Sequence, residues 1–213
     1  MTAEEIPTDD PLVAMAREQA CRLLDGNSER ARHSAGVAAR AWTLSAAVSR
    51  TEVSVLVAAA WLHDIGYATA LQDTGFHPLD GARYLRSTGW DPRICDLVAH
   101  HSGSRFVAAV NGQRAGLAEF TFSVDPVTDA LTAADQSIGT YGIPLTPHER
   151  MRDMLQRHGP NSPNARAHPL RSDYLSAASR RVEQRLAKGL AGDIKAVIPV
   201  NQSRDRSPTS LVS

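Results

Sequence analysis

At 213 residues, with 42% apolar and 22% charged side chains, the chain is long enough to bury one sizeable core, so one globular domain with short tails is the starting expectation. Lysine plus arginine and aspartate plus glutamate number 23 each, which excludes the strongly basic balance of a general nucleic-acid binder. The longest apolar run, VSVLVAAAWL, is about half the ~20 residues a membrane-crossing helix needs and is followed at once by charge, so no membrane partner is expected.

The first residues, MTAEEIPTDD, are acidic and lack a basic patch followed by an apolar stretch, so no secretory leader is expected and the cytoplasm is the expected compartment. Cys21 and Cys95 are too few and too isolated for a disulfide framework or a zinc ribbon and read as small buried residues.

A flexible tail over residues 1–10 is followed by Asp10-Pro11, a cap and an N1 proline, which predicts a helix from Pro11 to Leu24. Ser28 is the expected cap of a second helix, in which Val37, Ala41, Leu44 and Val48 recur at helical spacing. Thr51-Glu52 opens a third that carries VSVLVAAAWLHD and stops near Gly66, read as a left-handed terminator, so His63 and Asp64 fall in its last turn. His77-Pro78 opens a fourth helix through Arg86, and Asp91-Pro92 a fifth through about Ser102.

Residues 103–124 are glycine-rich and read as a long connection with short helical turns, FTFSV being a candidate extended piece. Asp125-Pro126 caps a helix through Gly139, Thr146-Pro147 caps HERMRDMLQRHG, and Ser172 begins DYLSAASRRVEQRLAKGL. The prediction is an all-α bundle over 11–190, with a core over 28–139, C-terminal helices over 146–190 and a disordered tail over 191–213. The last third is mildly basic, but its scattered arginines read as solvated helix faces in preference to a nucleic-acid surface.

The informative residues are histidines and aspartates at element ends and on apolar stripes. His33 precedes Val37 by four residues, so it joins the inward stripe of the second helix. Asp135 follows Leu131 by four and precedes Ile138 by three, which aims a carboxylate at the core, where a cation or several donors must meet it. His101 follows Leu97 by four, beside His100, and His77 starts its helix. A His/Asp set without thiolates suits a metal site with open positions. Taken singly, His33 also fits a satisfied core histidine, and His63-Asp64 a helix terminus interacting with its dipole. His148, His158 and His168 lie in polar, proline-flanked stretches and read as surface residues.

The ordered set His33, His63-Asp64, Asp135 resembles the HD superfamily of metal-dependent phosphohydrolases, with its H…HD…D signature: ARHSAGVA is similar to the first-histidine helix, LHDIGY to the HD motif and TAADQSIG to the last-aspartate helix. The resemblance implies an all-α HD-domain helical bundle with a C-terminal helical extension. It implies one divalent ion (Fe, Mn, Zn, Ni or Mg) on His33, His63, Asp64 and Asp135. His77 with His100 and His101 is similar to subgroups that hold a second ion, with Asp64 bridging.

Catalytic roles then fall to His63, Asp64, His77 and His101. The implied substrate is a small phosphorylated compound such as a nucleotide, with Arg32 and Arg105 as candidate phosphate contacts. VAHHSGSRFVA is not followed by the Gly-Tyr-Pro loop of the cyclic-dinucleotide phosphodiesterases, which argues against that subgroup. Two competing readings use the same ligands: a di-iron oxygenase and a non-catalytic metal- or nucleotide-binding module.

Overall fold

The computed structural model describes residues 9–197. Ten helices follow in order: α1 (Pro11–Leu24), α2 (Ser28–Thr43), α3 (Val53–Leu62), α4 (His77–Ser87), α5 (Pro92–His100), α6 (Ser104–Asn111), α7 (Arg114–Leu117), α8 (Pro126–Gln136), α9 (Pro147–His158) and α10 (Pro163–Val197). Among the described residues there is no strand, only an isolated bridge between Ile138 and Pro144. The all-α expectation therefore holds. No helix among them is long and apolar enough to cross a membrane.

Side-chain caps begin most of these helices. Asp10 accepts from the N–H groups of Leu12 and Val13, Asp91 from Arg93, and Asp125 from Val127 and Thr128, each before a first-turn proline whose missing N–H would have had no intrahelical partner. Thr146 and Glu149 form a reciprocal capping box on α9. The cap of α2 is Asn27, which bonds the Arg30 N–H, and Ser28 is the first helical residue.

α3 is the axis of the core. Every residue from Leu56 to Leu62 is buried, and the helix packs against α1, α2, α5 and α8. A helix apolar on all sides has no solvent face to orient, so it must be enclosed by its neighbours. Leu56, Val57 and Leu62 each contribute about 1.5–3 kcal/mol by leaving water. Burying α3 brings its polar C-terminal end to the centre of the molecule.

Several sequence expectations change. Gly66 has no left-handed φ; it lies in a tight turn over Ile65–Tyr67, where a Cβ would collide with the His77 carbonyl and stand 2.8 Å from the Gly81 nitrogen. The glycine thus allows the start of α4 to press onto this turn. The connection over 103–124 contains a full helix, α6, which FTFSV follows without forming a strand.

α10 starts at Pro163, nine residues before Ser172, and accommodates Pro169 within it. It also continues to Val197, into the expected tail; residues 1–8 and 198–213 lie outside the described residues. Cys95 is buried as expected, whereas Cys21 is exposed.

Candidate metal centre

His63 and Asp64 lie just past the end of α3. His63 keeps helical angles (φ −59°, ψ −31°), Asp64 departs from them (φ −105°, ψ 7°), and the chain then enters the turn at Ile65–Tyr67. On a continuing helix two consecutive side chains diverge by about 100°. Here the helix ends between them, and both reach one centre.

Three other helices and one bend meet that centre. His33 comes from the buried stripe of α2, His77 from the first residue of α4, and His101 from the bend after α5, while Asp135 comes from the last turn of α8. His33 Nε2 lies 3.0 Å from Asp135 Oδ1 and 3.8 Å from Asp64 Oδ2. Asp64 Oδ1 faces His63 Nε2 at 3.6 Å, His77 Nε2 at 3.3 Å and His101 Nε2 at 3.9 Å. Two ligand trios result, His33-His63-Asp64 and Asp64-His77-His101, within each of which the donor atoms lie within 4.8 Å of one another. Asp64 belongs to both.

The protonation pattern tests whether these residues suit a cation. The Nδ1 atoms of His33, His63 and His101 lie 3.1, 2.8 and 2.6 Å from the carbonyls of Gly139, Ala60 and Val98. A carbonyl only accepts, so each Nδ1 donates its proton there and each Nε2 is left turned toward the carboxylates. His63 Nε2 is buried with no hydrogen-bond partner among the described residues. Nitrogen and oxygen donors converging in this way fit a divalent ion, with the backbone carbonyls setting the imidazole orientation.

Electrostatics favour ligand-ready forms. Burial pushes the Asp64 carboxyl up, but His63, Arg30 and His77 outweigh it and hold Asp64 well below the usual carboxylate range. Asp135 is likewise raised by burial and lowered further by His33, Arg150 and His63. Burial brings His77 down to about 4 against the pull of Asp64, and lowers His101 with His63 assisting. Charged carboxylates and neutral imidazoles are the forms that bind metals.

The structure brings together His33, His63, Asp64, His77, His101 and Asp135, and does not bring His100, Arg105 or Arg32 to them. Between His100 (φ −106°, ψ 8°) and His101 (φ −57°, ψ 149°) the backbone passes from near-helical to extended, so the neighbouring rings part. His100 Nε2 instead donates to the Phe120 carbonyl at 3.0 Å, and its ring packs edge-on to Phe122. Arg105 lies over Phe106, Phe122 and Tyr174, in a different cavity. Arg32 sits at the surface near Ser28 and Tyr141.

Other residues take their places. Arg30 Nη1 donates to Asp64 Oδ2 at 2.8 Å while its guanidinium stacks over Tyr67, which in turn stacks on His77. Arg150 Nη2 donates to Asp135 Oδ1 at 3.1 Å. Ser102, at φ 47°, donates its hydroxyl to Asp135 Oδ2 and accepts from Gln136. Arg30 precedes His33 by three residues and so shares its helix face, a signal available in the sequence. Arg150 and Ser102 give no such signal, because α9 returns over the centre only in three dimensions and the bend at Ser102 has no period.

All of the cluster except the fully buried His63 lines a cavity of about 960 Å³ whose opposite wall is built from α9 and α10. Arg150, Arg157 and Arg171 line this cavity and are at least half-buried, in contrast to the solvated-face reading, whereas Arg180 lines it but is exposed, as expected. His158 and His168 also line it and are half-buried, in contrast to the surface reading. His148 lines it as well but is exposed, as expected.

An all-helical fold carrying two linked His/Asp trios defines a protein with a candidate metal centre. The sequence matches the model of the HD domain family over residues 30–150, more than half the chain, and the protein belongs to that family. Membership places it in a superfamily of metal-dependent phosphohydrolases. Among curated proteins and among solved structures nothing matches the chain.

Proposed function

We propose that the protein is a metal-dependent hydrolase of phosphoester or phosphoanhydride bonds in a nucleotide or other small phosphorylated compound. The observation that carries this reading is the convergence of imidazole Nε2 atoms on Asp64 and Asp135 at the wall of an arginine-bearing cavity. His33, His63, Asp64 and Asp135 would hold one divalent ion, and Asp64, His77 and His101 a second. Bound there, such ions supply an acidified water and polarise a phosphoryl oxygen.

The chain's own residues do the rest. Arg30 neutralises the outer oxygen of Asp64 and, through Tyr67, holds the His77 ring in place. Ser102 and Arg150 orient Asp135. The guanidiniums of the cavity match phosphate geometry, since their planar forks give paired N–H donors.

A panel of nucleotides and bis(p-nitrophenyl) phosphate, assayed with Mn²⁺ or Fe²⁺, tests the reading. Turnover is expected in the wild type and is expected to fall to background in Asp64→Ala. Absence of phosphoryl turnover combined with iron-dependent oxygen uptake would defeat it.

A further inference from the structure

Arg171 lines the same cavity, yet among the described residues it has no carboxylate partner. It is only 8% exposed, its Nε is buried without a hydrogen bond, and its one polar contact among the described residues is Nη1 to Asn164 Oδ1 at 3.4 Å. Of the other cavity arginines, Arg30 is neutralised by Asp64, Arg150 by Asp135 and Asp153, and Arg157 by Asp153, whereas Arg40 and Arg180 are exposed to solvent and need no partner. Burying a guanidinium costs free energy that an ion pair normally offsets, so an unpaired one is maintained against stability. Burial does lower its proton affinity, with Asp135 opposing, but a guanidinium remains charged at neutral pH.

We propose that Arg171 is the substrate's second anchor, binding an anionic group, phosphate or carboxylate, separate from the phosphoryl group at the His/Asp cluster. The substrate class is then a phosphate ester or anhydride bearing at least two anionic groups. This rests on the reading of the cluster as a phosphoryl site. Asn164 contacts one arm of the guanidinium, and further along the same helix Arg181 and Arg185 tie it to the buried Asp129. Arg171 lies beyond the matched family segment, which ends at residue 150, so the anchor is a feature of this chain's C-terminal helices.

Calorimetric titration of inorganic phosphate into the manganese-loaded full chain tests this, with Arg171→Met and Arg171→Lys beside the wild type. The wild type is expected to bind two phosphates per chain and Arg171→Met one, with manganese content and circular dichroism unchanged. Arg171→Lys is expected to keep both, the second about tenfold weaker because an ammonium lacks the fork. After chelation the wild type retains one phosphate that Arg171→Met lacks.

A single chelator-insensitive phosphate, lost in Arg171→Met, sustains the anchor and tells against the metal reading alone. Equal phosphate binding by wild type and Arg171→Met overturns the anchor. Removing an uncompensated charge is also expected to raise the phosphate-free melting temperature. A fall, with phosphate binding intact, makes Arg171 structural and overturns the proposal; should Arg171→Met fail to fold, undiminished affinity in Arg171→Lys does so.

Discussion

Ser102 occupies a left-handed conformation that a non-glycine residue adopts at a cost, and in it the hydroxyl reaches Asp135. Strain next to the candidate ligands suggests that the bond to Asp135 matters more than backbone comfort. Ser102→Ala is expected to leave the fold in place and weaken metal binding by about 10–100-fold, the usual effect of losing a group that orients a ligand; a metal titration followed by calorimetry reads this. Gly66→Ala is expected to destabilise by about 1–3 kcal/mol and displace His77, because the new methyl must push against the start of α4. Urea unfolding and metal content measure the two effects.

At this scale much of the site was legible: His33, His77, His101 and Asp135 could be placed from apolar stripes and helix ends, and the structure brings them to His63 and Asp64. His100 and Arg105 were misplaced because their direction depends on two backbone angles at a bend, which no spacing encodes.

Among the elements, α10 is the most informative. Arg181 and Arg185 reach back to Asp129, which is fully buried on α8, at 2.9 and 2.8 Å. Asp129→Ala leaves both guanidiniums without that carboxylate. It is expected to cost about 3 kcal/mol, the lower end for a buried pair because the arginines are about a third exposed; denaturant unfolding measures it.

The cap of α8 carries a pH signature. Burial raises the Asp125 carboxyl, but the Ser123 hydroxyl, the Thr128 N–H and Arg93 outweigh it and bring it down to about 2. A carboxyl depressed below its unfolded value of ~3.9 contributes stability that is present above that value and lost as pH falls through about 2. The difference between wild type and Asp125→Ala is therefore expected to be about 1 kcal/mol near neutral pH and to vanish toward pH 2; urea midpoints across that range test the trend.

Caps and N1 prolines made most helix starts readable in the sequence. The early start of α10 was not, because Pro169 looks like a boundary and is tolerated only inside the packed assembly.

Across the whole molecule, a buried apolar helix delivers its polar end to the centre, and four other segments supply the remaining donors. The fold class could be read directly, since periodicity and capping are local, whereas the H…HD…D set took its meaning from the family resemblance, each residue alone also fitting a structural role. The arginine-bearing wall could not, because composition alone does not distinguish a basic solvated face from one folded inward over a cavity.

The central claim is that Asp64 joins two ion-binding trios. Metal content per chain, measured by plasma mass spectrometry on manganese- or iron-loaded protein, tests it most directly. Two ions in the wild type, and fewer than one in Asp64→Ala, is the expected result; a wild type that takes up one ion or none, or an Asp64→Ala variant that keeps two, would contradict it.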